Sequence, residues 1–186
     1  MSKPAIYRQL HRRLTLPVRL CQNETMIMIR PAAPSDSEAI WSILEPVIRA
    51  GETYALPSDL SKEAGLAYWF SDGHEVFVAN EDGTVVGTYY LRTNQRGGGS
   101  HVANCGYMTF PPATGRGVAR AMCSHSLQLA RSRGFRAIQF NFVASTNERA
   151  VRLWKSEGFK IVGTLPKAFR HPKLGYTDAY VMYREL

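Results

Sequence analysis

The sequence has few cysteines and no long apolar segment. Its three cysteines, Cys21, Cys105 and Cys123, show no CxxC spacing and so give no metal or redox signature. Their odd number, together with the lack of a secretory signal, is typical of a reducing cytosol. We therefore expect a cytoplasmic protein whose cysteines behave as small buried hydrophobes. No apolar run approaches the roughly 18 residues that a membrane span needs, so no membrane partner is expected.

Acidic residues are scarce relative to basic ones. The chain holds 23 Lys and Arg against 15 Asp and Glu, and its formal net charge is +8. A basic protein attracts anions, which include nucleic acid, an anionic membrane and a polyphosphate cofactor. The sequence has neither a helix-turn-helix context nor the interleaved aromatics of a single-strand binder, so nucleic acid is not an expected partner. With 186 residues, 45% of them hydrophobic, one domain is the default.

The N-terminal segment is the most basic part of the chain. Residues 1–26 hold five Lys or Arg and a single acid, Glu24. We interpret this segment as a basic extension, either loosely attached or lying upstream of a true start near Met26 or Met28. An amphipathic helix packed on the domain is the alternative. Residues 27–186 are predicted to form a single domain.

The rest of the chain alternates β-rich and helical segments in the order β-α-α-β-β-β-α-β-α-β-β. This order predicts a mixed α/β sheet rather than a pure βαβ winding. Ser35 or Asp36 can cap the first helix. Pro46 inside that helix predicts a kink or an early stop near Glu45. The segment Asn80–Gly83 joins two β-rich runs and predicts a hairpin turn.

A glycine-rich turn, FPPATGRGVARAM, leads from a predicted strand into a predicted helix. Helix N-termini offer unpaired N–H groups and a positive dipole end. Gly115 and Gly117 remove the Cβ atoms that would keep an anion away, and Arg116 and Arg120 add positive charge. The turn therefore predicts a pyrophosphate cradle, although a Gly-x-Gly before a helix can also be only a tight turn. The chain carries neither the P-loop motif nor the three-glycine dinucleotide motif.

A second motif, STNERAVRLWKSEGFKIVG over residues 145–163, begins a helix with Asn147 and ends with Gly-Phe. Together, the two motifs resemble those of the GCN5-related N-acetyltransferase (GNAT) family. The order of elements from about residue 28 to residue 186 is also similar to that family. The resemblance implies an α/β (α+β) fold: a mixed, mostly antiparallel central sheet of about seven strands, with a splayed parallel pair and flanking helices.

The resemblance implies acetyl-CoA as the co-substrate and no metal. The pyrophosphate would lie on the glycine-rich helix start, and the pantetheine arm would bond to strand backbone like an extra strand. A backbone N–H near Met108 would polarise the acetyl carbonyl. Thr114 stands where the family usually has Gln or Arg, which removes one side-chain contact but leaves the backbone cradle. The implied cofactor-binding residues are Tyr107, Met108, Thr109, Gly115, Arg116, Gly117, Val118, Ala119, Arg120, Asn147 and Trp154.

Three shorter segments, VANCGYM, FNFV and NERAVRLW, resemble fungal members of the family that acetylate azetidine-2-carboxylate, a proline analogue. In that group, asparagines at the positions of Asn104 and Asn141 lie near the substrate carboxylate. The asparagine at the position of Asn147 assists placement of the cofactor or acetyl group. Asparagine is depleted within strands, so the presence of Asn104 and Asn141 in two apolar strands requires an explanation. Binding of a substrate carboxylate is one explanation. The alternative is that both are buried amides whose hydrogen bonds are satisfied by neighbouring backbone.

The catalytic base and acid are not evident. Many relatives carry a glutamate on the strand that reads HVANCGYM here, and this strand has no acid. His101 is the candidate for a proton relay, or else a solvated histidine. In the GETYALP loop, Glu52 is a candidate base or a surface acid, and Tyr54 is a candidate acceptor contact. Trp154 replaces a frequent family tyrosine; indole supplies no proton, so water or the departing ammonium proton must serve. The predicted catalytic residues are Asn147, Met108 and His101, and the predicted acceptor-binding residues are Asn104, Asn141, Glu52 and Tyr54.

The predicted function is acetyl transfer from acetyl-CoA to a primary or secondary amine, with a small amino or imino acid as the expected acceptor. Alternatives are a larger amine, such as a protein N-terminus, a polyamine or an aminoglycoside, and a non-catalytic acetyl-CoA-binding module. The scarcity of acids around the expected acceptor site disfavours a polycation. The expected partner is a small-molecule amine, and a homodimer is left open.

Overall fold

The computed structural model describes residues 26–186. The predicted N-terminal extension, and with it Cys21, lies outside these residues apart from Met26. The helices and strands follow the predicted order. They are β1 (Ile27–Pro31), α1 (Ser37–Ala50), α2 (Lys62–Trp69), β2 (Glu75–Glu81), β3 (Thr84–Thr93), β4 (Val102–Thr109), α3 (Val118–Ser132), β5 (Ala137–Ala144), α4 (Glu148–Ser156), β6 (Lys160–His171) and β7 (Gly175–Glu185).

The strands of residues 26–186 form one seven-stranded sheet in the order β1-β2-β3-β4-β5-β7-β6. Every neighbouring pair is antiparallel except β4 and β5, which run parallel. Over their described lengths, β4 and β5 pair at two positions, Val102 with Ala137 and Ala103 with Ile138, and then diverge. The mixed sheet with a splayed parallel pair that the two motifs implied is therefore confirmed.

Helices cover both faces of the sheet. The α1 and α2 helices pack on one face, and the buried residues of α3 and α4 join the core on the other. The α3 helix lies very close to β3 at Gly87, where an added Cβ would come within 2.7 Å of Val118 Cγ1. No helix within residues 26–186 combines the length and the apolar character needed to cross a bilayer.

The first helix differs from the prediction at its proline. Pro46 lies inside α1, which continues past Glu45 to Ala50 and ends at Gly51 with φ of 62°. Proline costs one backbone hydrogen bond, to the carbonyl of Ser42, but both residues are exposed and water can satisfy that carbonyl. Buried side chains on both sides of the proline hold the helix on the sheet. Apolar packing thus outweighs the local helix-breaking tendency.

A partly buried ion pair fixes the entry into α1. Asp36 is 6% exposed, and its carboxylate accepts two hydrogen bonds from Arg30, at 2.7 and 2.8 Å. It also accepts one from the Ala33 backbone N–H at 2.7 Å. These donors lower the pKa of Asp36, the Arg30 hydrogen bonds most strongly. Asp36 thus precedes the helix as predicted, but its side chain ties α1 to β1 rather than capping the helix.

The close approach of α3 to β3 generates a stability prediction. Gly87→Ala should lower the free energy of unfolding by about 1–3 kcal/mol, because the methyl group would overpack against Val118. Gly163→Ala is the matched control, since an added Cβ there would meet ordinary contacts at 3.8 Å in another strand. Urea denaturation of both variants gives the measurement. Equal stabilities would show that α3 shifts freely and that the contact is unimportant.

Candidate active site

Two cavities meet where β4 and β5 diverge. The first, which we call the α3 cleft, has a volume of about 430 Å³ and extends from the start of α3 along the end of β4. The second, which we call the Arg92 cavity after the β3 arginine in its lining, has a volume of about 280 Å³ and lies beside β3, β4 and β5. Residues that line both cavities mark the place where two bound molecules would meet. They are Thr53, Tyr54, Tyr107, Asn147, Ala150 and Trp154.

The start of α3 has the geometry of an anion cradle. Gly115 and Gly117 both adopt left-handed backbone conformations, with φ of 94° and 84°. No side chain caps the helix, so the first N–H groups of α3 have no capping partner within the described chain. A Cβ added at Gly117 would meet no atom within 4 Å, which shows open space beside this residue at the start of the helix. The cradle thus fits a phosphate group.

The cations at this cradle differ from those expected. Arg116 forms an ion pair with the buried carboxylate of Glu81, and its side chain does not line the α3 cleft. Arg120 lines the cleft but pairs with Glu157 at 2.6 Å. Arg149, which the sequence analysis missed, also lines the cleft, with Nη2 only 3.1 Å from the Cβ position of Gly115. Because Arg149 forms no ion pair with residues 26–186, it is the cation free to meet a phosphate.

The register of β4 decides which backbone groups face the gap between the diverging strands. Asn94 donates its N–H to Val102 O at 2.8 Å, and Phe110 donates to Val86 O at 2.9 Å. Bonded pairs recur at every second residue of an antiparallel ladder, so the even-numbered residues of β4 bond to β3. The N–H of Met108 therefore faces β3, so it cannot polarise a carbonyl in the gap, contrary to the expectation from the sequence. Tyr107 faces the gap instead.

A tyrosine from the loop after α1 fixes one side of this gap. Tyr54 Oη donates a hydrogen bond to Tyr107 O at 2.9 Å. This bond confirms that the backbone of Tyr107 points away from β3, and it leaves the Tyr107 N–H facing the gap. Burial raises the pKa of Tyr54 far above its usual value, so the phenol stays neutral. Tyr54 lines both cavities, at the position expected of an acceptor contact.

The second motif places two residues at the junction of the cavities. Asn147 caps α4, because its side-chain Oδ1 accepts a hydrogen bond from the Ala150 N–H at 3.2 Å. Trp154 is buried. The centroid of its ring lies 5.0 Å from the ring centroid of Tyr107 on β4 and 5.1 Å from that of Phe140 on β5. The indole therefore fills the space that the diverging strands leave on the α3 face. Both residues line both cavities.

The two strand asparagines line the Arg92 cavity and have protein partners. Asn104 Nδ2 donates to Gln139 O at 2.7 Å, which bridges β4 and β5 just beyond their last backbone pair. Asn141 Nδ2 donates to Asn94 Oδ1 at 2.7 Å, and Asn141 Oδ1 accepts from Gln139 Nε2 at 2.8 Å. Each amide NH₂ has one hydrogen left, so each can donate one hydrogen bond to a ligand.

The two candidate bases lie outside both cavities. His101 is exposed and precedes the end of β4 that pairs with β5, opposite the divergence. Glu52 forms an ion pair with Lys173 at 2.7 Å, and this partner lowers the pKa of Glu52 and weakens it as a base. These placements remove both residues from the candidate catalytic groups. No Asp, Glu or His is among the described residues that line the Arg92 cavity.

Comparison with known proteins decides the family. The model of the acetyltransferase (GNAT) family matches residues 40–159. The chain belongs to the GNAT family. This GNAT protein is an N-acetyltransferase, as its named relatives are. No cluster of three or more His, Cys, Asp or Glu that could hold a metal occurs within residues 26–186.

Four similar proteins illustrate the relationship. The chain is 26% identical to N-acetyltransferase aca1 of Schizosaccharomyces pombe, over 72% of each chain. It is 34% identical to L-amino acid N-acetyltransferase AaaT of Escherichia coli, over 85% of this chain and 97% of that one. A GCN5-related N-acetyltransferase from Kribbella flavida is 41% identical with a TM-score of 0.82, over 86% and 98% of the two chains. The yncA protein from Salmonella typhimurium, solved with acetyl-CoA, shares the fold at 23% identity and a TM-score of 0.75, over 86% and 94%.

The anion cradle generates a binding prediction. Acetyl-CoA at about 100 times its Kd should raise the melting temperature by roughly 5–10 °C, because it binds only the folded protein. Gly117→Glu should remove this shift, since it adds a bulky negative charge to the lining of the α3 cleft at the start of the helix. A thermal shift assay gives the measurement.

Gly134→Glu is the matched control for this variant. Gly134 has φ of 80° and the same open surroundings as Gly117, but it follows the opposite end of α3. Both variants therefore carry similar backbone strain and the same change in charge. An undiminished shift in Gly117→Glu would place the cofactor elsewhere.

Proposed function

We propose that this N-acetyltransferase transfers the acetyl group of acetyl-CoA to the amine of a small amino or imino acid. The observation that carries the proposal is the Arg92 cavity. Its lining holds one cation and no acid among the described residues, and it joins the α3 cleft at Tyr107. The E. coli relative named an L-amino acid N-acetyltransferase supports the same class of acceptor.

The size and charge of the Arg92 cavity favour this acceptor over larger amines. Its volume of about 280 Å³ lies at the small end of ligand pockets, which suits an amino acid better than an aminoglycoside. A polyamine would bring several ammonium groups to a cavity whose described lining offers them no carboxylate. An amino acid would bring one carboxylate to the one guanidinium in that lining. Aromatic rings of Tyr68, Tyr90 and Phe142 can contact its side chain.

The residues of the α3 cleft are suited to hold acetyl-CoA, which supplies the acetyl thioester when bound. The first N–H groups of α3, with Arg149, would bind the pyrophosphate. The gap-facing backbone of β4 would bond to the pantetheine arm. The Tyr107 N–H would donate to the acetyl carbonyl oxygen and stabilise the negative charge that develops there. Asn147 and Trp154, which line both cavities, would hold the thioester between them.

The absence of a base in the described lining of the Arg92 cavity has a consequence for the proton. An amine is a nucleophile only when neutral, so the acceptor must lose a proton before attack. The titratable groups that line the cavity include Cys105, and burial raises the pKa of its thiol to about 12. Burial also raises the pKa of Tyr54, Tyr90 and Tyr107 well above the usual tyrosine value. We therefore expect water to take the proton.

This proton transfer predicts the pH profile. The kcat/KM should fall tenfold per unit as pH drops below the pKa of the acceptor's own amine, because only the neutral form reacts. Two good acceptors with different amine pKa values should therefore give break points that differ by the same interval. Steady-state kinetics from pH 6 to 10 gives the measurement. A break point common to both acceptors would instead reveal an enzyme base.

A panel of amines tests the acceptor class. Coenzyme A release should be fastest, by kcat/KM, with small amino and imino acids, including proline and azetidine-2-carboxylate. Polyamines, an aminoglycoside and a tripeptide should be poor acceptors. A preference for any of these three would overturn the acceptor assignment. A protein that binds acetyl-CoA but acetylates no member of the panel would favour a non-catalytic module.

A further inference from the structure

Arg92 occupies an unusual position for a cation. It lies on β3 directly opposite Asn104 of β4, and its half-buried side chain lines the Arg92 cavity. The charge of its guanidinium lowers the pKa of His74, in the same sense as burial, which is the larger cause. The same charge partly offsets the upward shift of the pKa of Tyr90. The guanidinium is thus the charged group of a pocket with aromatic walls.

The guanidinium of Arg92 has almost no partner among the described residues. Its one hydrogen bond within residues 26–186 runs from Nε to Asn104 Oδ1 at 3.5 Å, the long limit for such a bond. It forms no ion pair with any carboxylate in that part of the chain. Arg116 and Arg120, by contrast, both pair with acids. A guanidinium carries five N–H donors, so most of those on Arg92 face the cavity or solvent.

The neighbouring amides are oriented by their partners. Asn104 must point Nδ2 at Gln139 O, because a carbonyl oxygen can only accept, and this turns Asn104 Oδ1 toward Arg92. An oxygen in this position orients a guanidinium but repels a carboxylate. Asn141 uses its oxygen and one amide hydrogen within the protein. Each amide therefore offers a carboxylate at most one hydrogen bond, from an uncharged donor.

We propose that Arg92 is the carboxylate-binding residue of the acceptor site, a role first expected of Asn104 and Asn141. This inference rests on the proposed function, since it names the group that reads a small amino or imino acid. Arginine suits the task because its planar fork can donate two parallel hydrogen bonds to one carboxylate. The Arg92 cavity also reaches Tyr107, so an acceptor held by its carboxylate at Arg92 can extend toward the α3 cleft.

The test compares an amino acid with its carboxamide as acceptors, with rates expressed per neutral amine. Wild type should prefer the amino acid. Arg92→Gln should lower kcat/KM for the amino acid by roughly 10- to 150-fold, the range for a lost hydrogen bond to a charged partner. The carboxamide should change little, so the preference should disappear. Arg96→Gln is the matched control. It makes the same change in charge, but Arg96 is exposed and lines neither cavity.

The thermal shift and the acceptor preference together distinguish a failure of this inference from a failure of the proposed function. The acetyl-CoA thermal shift should persist in Arg92→Gln, because Arg92 does not line the α3 cleft; this shows that the variant is folded and binds the co-substrate. If the variant retains the wild-type preference, or if wild type acetylates both acceptors equally, the carboxylate is not bound by Arg92 and the inference is overturned. In both cases the proposed function stands. If wild type acetylates other amines but no amino acid, the proposed function itself fails, and the inference with it.

Discussion

The divergence of β4 from β5 is the constraint on which the site depends. Two backbone pairs hold these parallel strands together at one end, and beyond them each strand bonds only to its outer neighbour within residues 26–186. Past Ala103, the odd-numbered peptides of β4 are thereby left without a strand partner in that part of the chain. Free peptide groups inside a protein must find another partner, and an extended ligand can supply one. The same divergence opens the α3 cleft and the Arg92 cavity toward each other.

Side chains keep the strands apart on both faces of the sheet. On one face, Trp154 packs between Tyr107 and Phe140 and would have to leave for the strands to close. On the other, the Asn104 amide takes over the bridging to β5 where backbone pairing ends. The opening is thus a packed feature of the fold. This also explains the asparagine in an otherwise apolar strand, which serves the architecture before it serves any substrate.

The order of elements and the local structure of the two motifs could be predicted from the sequence, because both depend on local patterns. The glycines before α3 and Asn147 before α4 shape the backbone only of residues close to them in the sequence. The partners of charged groups depend on distant segments, so the pairing of Arg116 with Glu81, and the lack of an ion pair for Arg149 within residues 26–186, were not predictable. The identity of the gap-facing peptide was missed for a related reason: it follows from the register between β3 and β4, where a shift of one residue exchanges Met108 for Tyr107.

A crystal structure of the protein with bound acetyl-CoA tests the central claim most directly, because it shows which peptide of β4 meets the thioester. We predict a pantetheine arm between β4 and β5 and an acetyl carbonyl oxygen within hydrogen-bond distance of the Tyr107 N–H. We also predict the pyrophosphate at the first turn of α3. An acetyl oxygen bonded to the Met108 N–H, or a cofactor lying outside the divergence of β4 and β5, would contradict this claim.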